Sequence, residues 1–327
     1  MKKIITIFVM LIIMNLVYAD NLSNIESAFV NIGLGARGMG MGGAYSAISD
    51  NANSMIWNPS GMALSNTAYS VNFDYADLYG LYNYSFFGIS GFMNEGFAAG
   101  LGMLYSGDDA MSETSIYFSG ALLGSYSGNY FKLIPKKATI GMNFRILMSS
   151  FGNNDDGAWF DENNLNHQVT GSAKGYAIDF GMNYVISDKD RFAMMFKNTL
   201  GSLSWDSENE VGTAKGKYSE SLPKSLIFGY SRSENKFNIS MDLNKALYSD
   251  TEDYLSLGVE YHLFKNIMDL RTGYSQELAT GLNRKYSFGT GFMINMGKSI
   301  FNVDISYQIH TEWEKHNTLR VSCGLGI

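Results

Sequence analysis

The chain has 327 residues, with 24 lysines and arginines against 31 aspartates and glutamates, which gives a formal net charge of −7. This acidic balance argues against a nucleic-acid partner, because such a partner requires a basic face. The single cysteine, Cys323, excludes an internal disulfide. With 35 glycines, 21 tyrosines, 21 phenylalanines and only 3 prolines, the composition favours an aromatic-rich β protein.

The N-terminus predicts a cleavable export signal over residues 1–19. Lys2 and Lys3 form a positively charged start, and the stretch from Ile4 to Val17 is almost entirely apolar. Val17-Tyr18-Ala19 has the small-x-small pattern of a cleavage site. We therefore expect the mature chain to begin at Asp20. A retained membrane anchor is less favoured, because the apolar stretch is short.

A glycine-rich stretch follows, and its GLGARG run fits the dinucleotide pattern G-x-G-x-x-G through Gly33, Gly35 and Gly38. That pattern needs a buried strand before it, a helix after it and an acid about 20 residues further on. Asp50 is too near, and GMGMGGA is too rich in glycine to predict a helix. Nucleotide binding is therefore disfavoured. The bare backbone instead suits a close approach to another surface.

The sequence SDNANSMIWNPSGMA predicts two short helical turns. Ser49 or Asp50 is placed to cap the first turn, and Asn58 followed by Pro59 is an N-cap with proline at the first helical position. The whole stretch over 20–66 is too long for a tail and too apolar for a disordered segment. We therefore expect it to form a compact structure.

Alternation of apolar and polar side chains with a period of two dominates from Ala68 onward, which predicts strands. From Ala138 to Met148 one face is apolar, while the other carries Thr139, Gly141, Asn143, Arg145 and Leu147. Small and polar residues on this second face favour a crowded polar interior and an apolar exterior. We count fourteen such segments, at about 68–73, 81–90, 96–105, 114–124, 137–148, 174–186, 191–200, 224–232, 236–244, 253–263, 266–275, 285–297, 300–309 and 317–327.

The connections between these segments give an independent indication. From the fifth segment on, long connections alternate with short ones such as SDKD, SRSEN, KN and GKS. Bacterial outer-membrane barrels have short periplasmic turns and long outer loops, whereas a soluble β-sandwich has no reason to keep this alternation. YSGNYFKLIPKK departs from the pattern, since it is long where a short turn is expected. The sequence thus predicts an all-β fold, a transmembrane antiparallel β-barrel of about 14 strands over 67–327, with 20–66 as a plug inside its lumen.

The stretch ARGMGMGGAYSAISDNANSMIWNPSGMA resembles the N-terminal signature of the FadL-like outer-membrane proteins, and in particular of their PorV branch. The matching residues are Ala36, Arg37, Gly40, Met41, Gly42, Gly43, Ala44, Ala47, Asp50, Ala52, Trp57, Asn58, Pro59, Gly61 and Ala63. LPKSLIFGYS, MDLRTGYS and FNVDISYQ resemble barrel strands of the same branch more loosely. The family fold is a fourteen-stranded barrel closed by an N-terminal hatch. Two departures are Ser60, where the family usually has alanine, and the C-terminal Ile327, where many such barrels end in an aromatic residue.

The resemblance implies that the hatch, or plug, motif consists of Arg37, Gly40, Gly42, Gly43, Asp50, Trp57, Asn58 and Pro59. Polar candidates on the predicted inner faces are Arg145, Asp179, Lys197, Asp242, Glu260, Asp269, Arg271 and Asp304. These residues form either an ion-pair network or a path for a ligand. We favour the network, with Arg37 joining it, because buried charges are normally paired.

No catalytic constellation, metal site or cofactor site is predicted, and an enzyme is not expected. His310 and His316 lie in HTEWEKH with Glu312 and Glu314, but their spacing matches no recognised metal-ligand pattern. We therefore interpret them as solvated loop residues.

Two functions remain, and both place an exported chain among the lipids of the bacterial outer membrane. The FadL resemblance implies passive passage of small hydrophobic compounds. The PorV resemblance implies an accessory protein for secretion or surface attachment, which binds an exported protein and transports nothing. Apolar packing near Met39, Met41, Met55 and Trp57 would favour the first function, and an interior closed by polar pairs would favour the second.

Overall fold

A computed structural model describes residues 33–327 with gaps at 79–81, 109, 128–133, 153–159, 161–164, 210, 213–214, 248–251, 265–266, 280, 282 and 312–316. The predicted signal over 1–19, residues 20–32 of the predicted plug, and His316 with its neighbouring glutamates lie outside the described residues. Within the part of the chain that is described, no helix is long and apolar enough to cross a membrane.

The N-terminal segment, residues 33–66, contains three short helical elements. These are helix α1 (Ala36–Gly40), helix α2 (Ser54–Trp57) and a 3₁₀ helix (Pro59–Leu64). The expected cap at Asn58 is present, since its side-chain oxygen accepts from the Ser60 N–H at 3.3 Å and Pro59 opens the 3₁₀ helix. The cap expected at Ser49 or Asp50 was wrong, because α2 begins after Asn53.

Helix α1 also corrects the expectation that the glycine-rich stretch is not helical. It forms little more than one turn, and the chain leaves the helical region at Gly42 and Gly43, which have φ values of 69° and 86°. Such positive φ values are strained for residues with a side chain. The glycines therefore end the helix rather than prevent it.

The rest of the described chain contains fifteen strands and one further helical turn, joined by turns and loops. They are β1 (Tyr69–Leu78), β2 (Tyr82–Phe92), β3 (Phe97–Gly107), β4 (Met111–Leu123), α3 (Gly124–Ser127), β5 (Ala138–Phe151), β6 (Thr170–Val185), β7 (Asp190–Glu208), β8 (Gly216–Ser221), β9 (Ser225–Ser233), β10 (Phe237–Ala246), β11 (Tyr254–Leu263), β12 (Met268–Glu277), β13 (Arg284–Met296), β14 (Ser299–His310) and β15 (Thr318–Gly326).

The strands close into a barrel. Apart from β8 and β9, which do not pair with each other, each strand pairs antiparallel with its neighbours in sequence. In addition β1 pairs with β15, and β7 pairs with both β6 and β9. The ring therefore contains fourteen strands, and β8 lies outside it, paired with the far end of β7. The predicted fourteen-stranded antiparallel barrel is confirmed. We call the end with the connections 186–189, 234–236 and 297–298 the short-turn end, and the opposite end the long-loop end.

The region around β7 differs from the prediction, which ended the seventh strand near 200 and made the following stretch a loop. Instead β7 continues to Glu208 and forms a hairpin with β8. A bulge separates the two halves of β7: Ile178 pairs with Leu200 and Phe180 with Phe196, so three residues lie opposite Asp179. Before the bulge β7 pairs with β9, and after it with β8.

The two faces of the barrel wall have opposite chemistry. On β5 the side chains of Met142 and Phe144 are 46% and 39% exposed, whereas those of Asn143 and Arg145 are 0% and 4% exposed. The outer face is thus apolar and the inner face mostly polar, as in a barrel surrounded by lipid.

Met142→Arg should prevent assembly or cost roughly 2–4 kcal/mol of stability, because it places a charge among lipid chains. The band shift that a folded barrel shows on an unheated gel measures assembly. Met142→Leu is the control and should fold normally. Normal folding of the arginine variant would contradict a lipid-facing position for residue 142.

The N-terminal segment contacts inward-facing residues on three well-separated parts of the ring. The Ala36 N–H donates to Ser322 on β15 at 2.6 Å, and the Ser46 N–H donates to Asp242 on β10 at 2.9 Å. Asn143 on β5 donates to the carbonyl of Met55 at 2.7 Å. These contacts place residues 33–66 across the width of the barrel.

Candidate functional site

The largest group of charges joins the N-terminal segment to β11. Arg37 in α1 makes ion pairs with Asp50 at 3.2 Å and with Glu260 at 2.9 Å. Its guanidinium also lies 5.6 Å from the centre of the Tyr45 ring. Burial lowers the pKa of Arg37, but Glu260, Tyr45 and Asp50 together raise it more, so the net pKa lies well above the ordinary value and the side chain stays charged.

Arg271 on β12 is the centre of the same group. Its guanidinium contacts Glu260 at 2.6 Å, Asp304 on β14 at 2.6 Å and Asp269 at 3.0 Å, and the Arg271 side chain is 2% exposed. Breaking a buried ion pair by removing one partner is costly, because the remaining charge loses its compensation. Arg271 therefore holds together three carboxylates that would otherwise repel one another. We call Arg37, Asp50, Glu260, Asp269, Arg271 and Asp304 the charged cluster.

His262 adjoins the charged cluster and raises the question of a metal. Ligand atoms of Glu260, His262 and Asp269 lie within 4.8 Å of one another. However, His262 is already 2.8 Å from Asp269, and both carboxylates are bonded to Arg271. The guanidinium groups would repel a cation, so this geometry suits a hydrogen-bond network better than a metal site.

A second polar group lies on β10 and β7. The Asp242 carboxylate accepts from the N–H groups of Tyr45 and Ser46, at 3.1 and 2.9 Å. Lys197 interacts electrostatically with Asp242 and Asp179. Asp242 thus fixes the backbone of the N-terminal segment where the segment passes β10.

A third group occupies the bulge of β7. Asp179 forms an ion pair with Arg145 at 3.0 Å and accepts from the N–H of Asn198 at 2.8 Å. Asn198 has a φ of 52°, and its side chain donates to the carbonyl of Pro223 at 2.7 Å and accepts from Arg145. Asparagine tolerates this left-handed conformation better than most residues. The group explains how the bulge is stabilised inside the barrel.

Asn58, Trp57 and Ser60 of the signature make hydrogen bonds that fix the N-terminal segment. Asn58 donates to the carbonyls of Ser46 and Met182, at 3.2 and 3.3 Å. The indole N–H of Trp57 donates to the carbonyl of Leu34 at 2.9 Å. Ser60, where the family usually has alanine, accepts from Asn183 on β6 at 2.9 Å, so this departure adds a hydrogen bond to the wall.

Glycines on both surfaces allow the backbone of the segment to approach the wall. A Cβ atom on Gly42 would lie 2.7 Å from the N atom of Tyr274, and one on Gly273 would collide with Gly42 itself. On the opposite side, a Cβ on Gly141 would collide with the backbone of Ser60. The expectation that the opening glycines permit close approach agrees with these contacts.

The interior also contains two apolar clusters. The first lies between the segment and β1–β4, and its members include Leu34, Met39, Met41, Tyr45, Met55, Trp57, Met62, Phe86, Leu104 and Tyr117. The second lies towards the long-loop end, on β5–β7 and directly after β8, and consists of Leu147, Ala173, Ala177, Leu203, Trp205 and Leu222, with Phe151 packed against it. Apolar residues on an otherwise polar inner face provide a surface on which a hydrophobic compound can bind.

The structure shows where the predicted polar candidates and the residues of the predicted plug motif lie. Four of the polar candidates meet in the charged cluster: Glu260, Asp269, Arg271 and Asp304. Arg145 and Asp179 form an ion pair at the bulge of β7, and Lys197 interacts electrostatically with both Asp179 and Asp242. Among the residues of the predicted plug motif, Arg37 and Asp50 belong to the charged cluster, while Gly40, Gly42 and Gly43 face the wall of β11–β13.

Sequence reasoning missed the second apolar cluster. It placed Asn143 on the inner face but predicted no hydrogen-bonding role for Asn143, Asn183 or Asn198. One signal was present, since Leu147 is the apolar exception on the polar face of β5. No pattern in the local sequence indicated that Asn198 points inward, because the bulge that turns it inward arises from pairing between strands.

No protein-family model matches the chain, and no curated protein matches it. Solved structures do match. The monoaromatic hydrocarbon channel CymD is 16% identical over 91% of this chain and 98% of its own, with a TM-score of 0.61. The toluene transporter TodX of Pseudomonas putida is 12% identical, and a FadL homologue of Pseudomonas aeruginosa is 11% identical. Each covers 91% of this chain and 98% of its own, with a TM-score of 0.58.

At such low identity these matches establish the fold. The protein has the fold of the FadL-type outer-membrane barrels, the family whose signature its N-terminal segment resembles.

Proposed function

We propose that the protein allows small hydrophobic compounds to pass across the outer membrane without an energy source. The observation that carries this proposal is the second apolar cluster, in which Leu203, Trp205 and Leu222 face inward near the long-loop end. A polar lumen that served only to hold a plug would gain nothing from apolar side chains at this position. The names of the solved structures, which include hydrocarbon channels and a toluene transporter, support the same function.

In this proposal residues 1–19 are a cleaved signal, 20–66 form the plug, and 67–327 form the barrel. The charged cluster and Asp242 hold the plug on the side of β10–β14. On β1 the contacts are polar, since Asp74 accepts a hydrogen bond from Asn53 of the segment at 3.2 Å. On the side of β2–β4 they are mainly apolar, so a hydrophobic compound can compete for them without leaving a charge unpaired. We therefore place the route on the apolar side of the plug.

The accessory role in secretion or surface attachment is less favoured. It predicts an interior closed by polar pairs alone, whereas Met41, Met55 and Trp57 lie in an apolar cluster against the wall. No solved structure named above is a secretion partner by its title. An exported protein as partner, and contact with particular outer-membrane lipids, are not needed for the proposed function.

Uptake of radiolabelled naphthalene and dodecanoic acid tests the proposal, in bacterial cells that lack other channels for hydrophobic compounds. Cells making the protein should take up at least one compound faster than cells without it. Leu203→Lys should remove most of this gain, because it puts a charge in the apolar cluster. The control is Ser204→Lys, on the exposed face of the same strand. Uptake equal to that of cells without the protein would contradict the proposal and favour the accessory role.

A further inference from the structure

The hairpin of β7 and β8 carries one tyrosine and one glutamate on its inner face. Tyr218 pairs directly with Trp205, and Glu220 pairs directly with Leu203. Directly paired residues of antiparallel strands point to the same side of the sheet. Since Trp205 and Leu203 belong to the second apolar cluster, Tyr218 and Glu220 border that cluster.

Three aromatic rings form the surface next to this border. The centre of the Trp205 ring lies 6.2 Å from that of Tyr218, with planes at 16°, and 5.7 Å from that of Phe151. Trp205 is 6% exposed, whereas Tyr218 is 53% exposed. The Tyr218 ring is therefore accessible beside a buried apolar surface. The face of such a ring is electron-rich and attracts cations.

The Glu220 carboxylate is held in place by only one of its oxygens. Its Oε1 atom accepts from the indole N–H of Trp205 at 2.8 Å. Among the described residues, none forms an ion pair with Glu220 or a hydrogen bond with its Oε2 atom. Tyr218 and Glu220 lie two positions apart on one side of the strand, roughly 7 Å along it. A ligand between them can therefore contact both the ring and the second oxygen.

The lysines of this part of the described chain do not fill the position. Lys217 and Lys215 form ion pairs with Asp206 and Glu208, at 2.8 and 3.6 Å, on the outer face of the hairpin. Lys174 on β6 is exposed on the same outer face. Beyond the bulge, the inner face of β6–β8 thus carries a negative charge and no described lysine or arginine.

Elsewhere in the interior, the same pair of groups already holds a cation. The Arg145 guanidinium lies 5.6 Å from the centre of the Tyr117 ring and 3.0 Å from Asp179. A cation between an aromatic ring and a carboxylate gains from both, because the ring face and the carboxylate are each negative. Tyr218 and Glu220 present this combination next to an apolar surface, but without a described cation of the chain between them.

From these contacts we infer that Tyr218 and Glu220 form a binding site for hydrophobic compounds that carry an ammonium group. The ammonium contacts the Tyr218 ring and the second oxygen of Glu220, and the apolar part of the compound lies against Leu203 and Trp205. The inference rests on the proposed function and adds to it a class of compound, organic cations, together with the residues that recognise the charge.

Equilibrium dialysis with radiolabelled benzyltrimethylammonium tests the inference, with the full-length protein in micelles of a nonionic detergent. This cation keeps its charge at every pH, and its solubility in water keeps it out of the micelles. The wild-type protein should bind it in a saturable manner. An excess of 3-phenylpropanoate, which has a similar size and the opposite charge, should not displace it. Displacement by this anion would overturn the preference for cations.

Glu220→Gln should weaken binding of benzyltrimethylammonium about tenfold, because it removes the charge and keeps an oxygen that can accept from Trp205. Asp206→Asn is the matched control, since it removes the same charge from the outer face of the same hairpin. This control should bind the cation as the wild type does. Equal weakening by the two substitutions would show general attraction by an acidic protein and would overturn the site.

Tyr218→Leu tests the aromatic ring separately and should weaken binding about fivefold. Tyr218→Phe keeps the ring and should bind the cation as tightly as the wild type. The band shift on an unheated gel shows whether each variant is folded. Folded Tyr218→Leu protein with wild-type affinity would remove Tyr218 from the site.

The outcomes distinguish the site from the proposed function. If cells take up naphthalene or dodecanoic acid but the purified protein does not bind benzyltrimethylammonium, the site is overturned and the proposed function stands. If the protein binds the cation through Tyr218 and Glu220 but cells take up neither compound, the site stands and the proposed function fails.

Discussion

Deletion of residues 20–66, with the signal kept, should convert a closed barrel into one that conducts ions. The fourteen paired strands form a continuous ladder without the N-terminal segment, so the barrel does not need the segment in order to close. Its lumen lies between those of eight-stranded barrels, which side chains fill, and sixteen-stranded porins, which hold water. Single-channel recording in planar bilayers should therefore show low conductance for the wild type and high conductance for the deletion.

A milder variant should give an intermediate result. Asn58→Ala with Pro59→Ala removes an N-cap worth about 1 kcal/mol, together with the hydrogen bonds from Asn58 to the carbonyls of Ser46 and Met182. The segment stays in the lumen but is held less firmly, so we expect brief openings rather than steady conduction. If the deletion folds and conducts no more than the wild type, residues 20–66 do not close the lumen and their assignment as a plug is wrong.

Arg271→Leu should destabilise the folded protein by roughly 3–5 kcal/mol, the usual cost of removing one partner from a buried ion pair. The substitution leaves Glu260, Asp269 and Asp304 close together around an apolar side chain, and Arg37 can compensate only Glu260. The urea dependence of tryptophan fluorescence, recorded in detergent micelles, measures the change.

Arg232→Leu is the matched control for this prediction. Arg232 lies on β9 and, like Arg271, contacts more than one carboxylate, those of Asp190 and Glu234. Its side chain is 45% exposed, whereas that of Arg271 is 2% exposed. Exposed ion pairs contribute little to stability, so this variant should unfold close to the wild-type urea concentration. Equal destabilisation by the two substitutions would contradict the central role given to Arg271.

The sequence by itself determined the fourteen strands of the barrel and the chemistry of their two faces, but not the additional strand β8. The alternation of Met142 and Phe144 with Asn143 and Arg145 is a local property, because neighbouring side chains on a strand point to opposite faces. The cap at Asn58 and Pro59 is also local, since it depends on adjacent residues. Such features can be read from short windows of sequence, and the barrel, its strand count and this cap were predicted correctly.

Only the tertiary structure decided which residues meet inside the barrel. Arg37 pairs with Glu260 from a distant part of the sequence, and Arg271 reaches Asp304 on a strand two positions away, because strand register and the position of the segment bring them together. At the bulge, Asp179 on the facing strand accepts the N–H of Asn198, a contact that no local pattern indicates. Alternation along one strand indicates which side chains point inward, but it carries no information about what lies opposite them. For that physical reason the charged cluster and the second apolar cluster became visible only in the closed barrel.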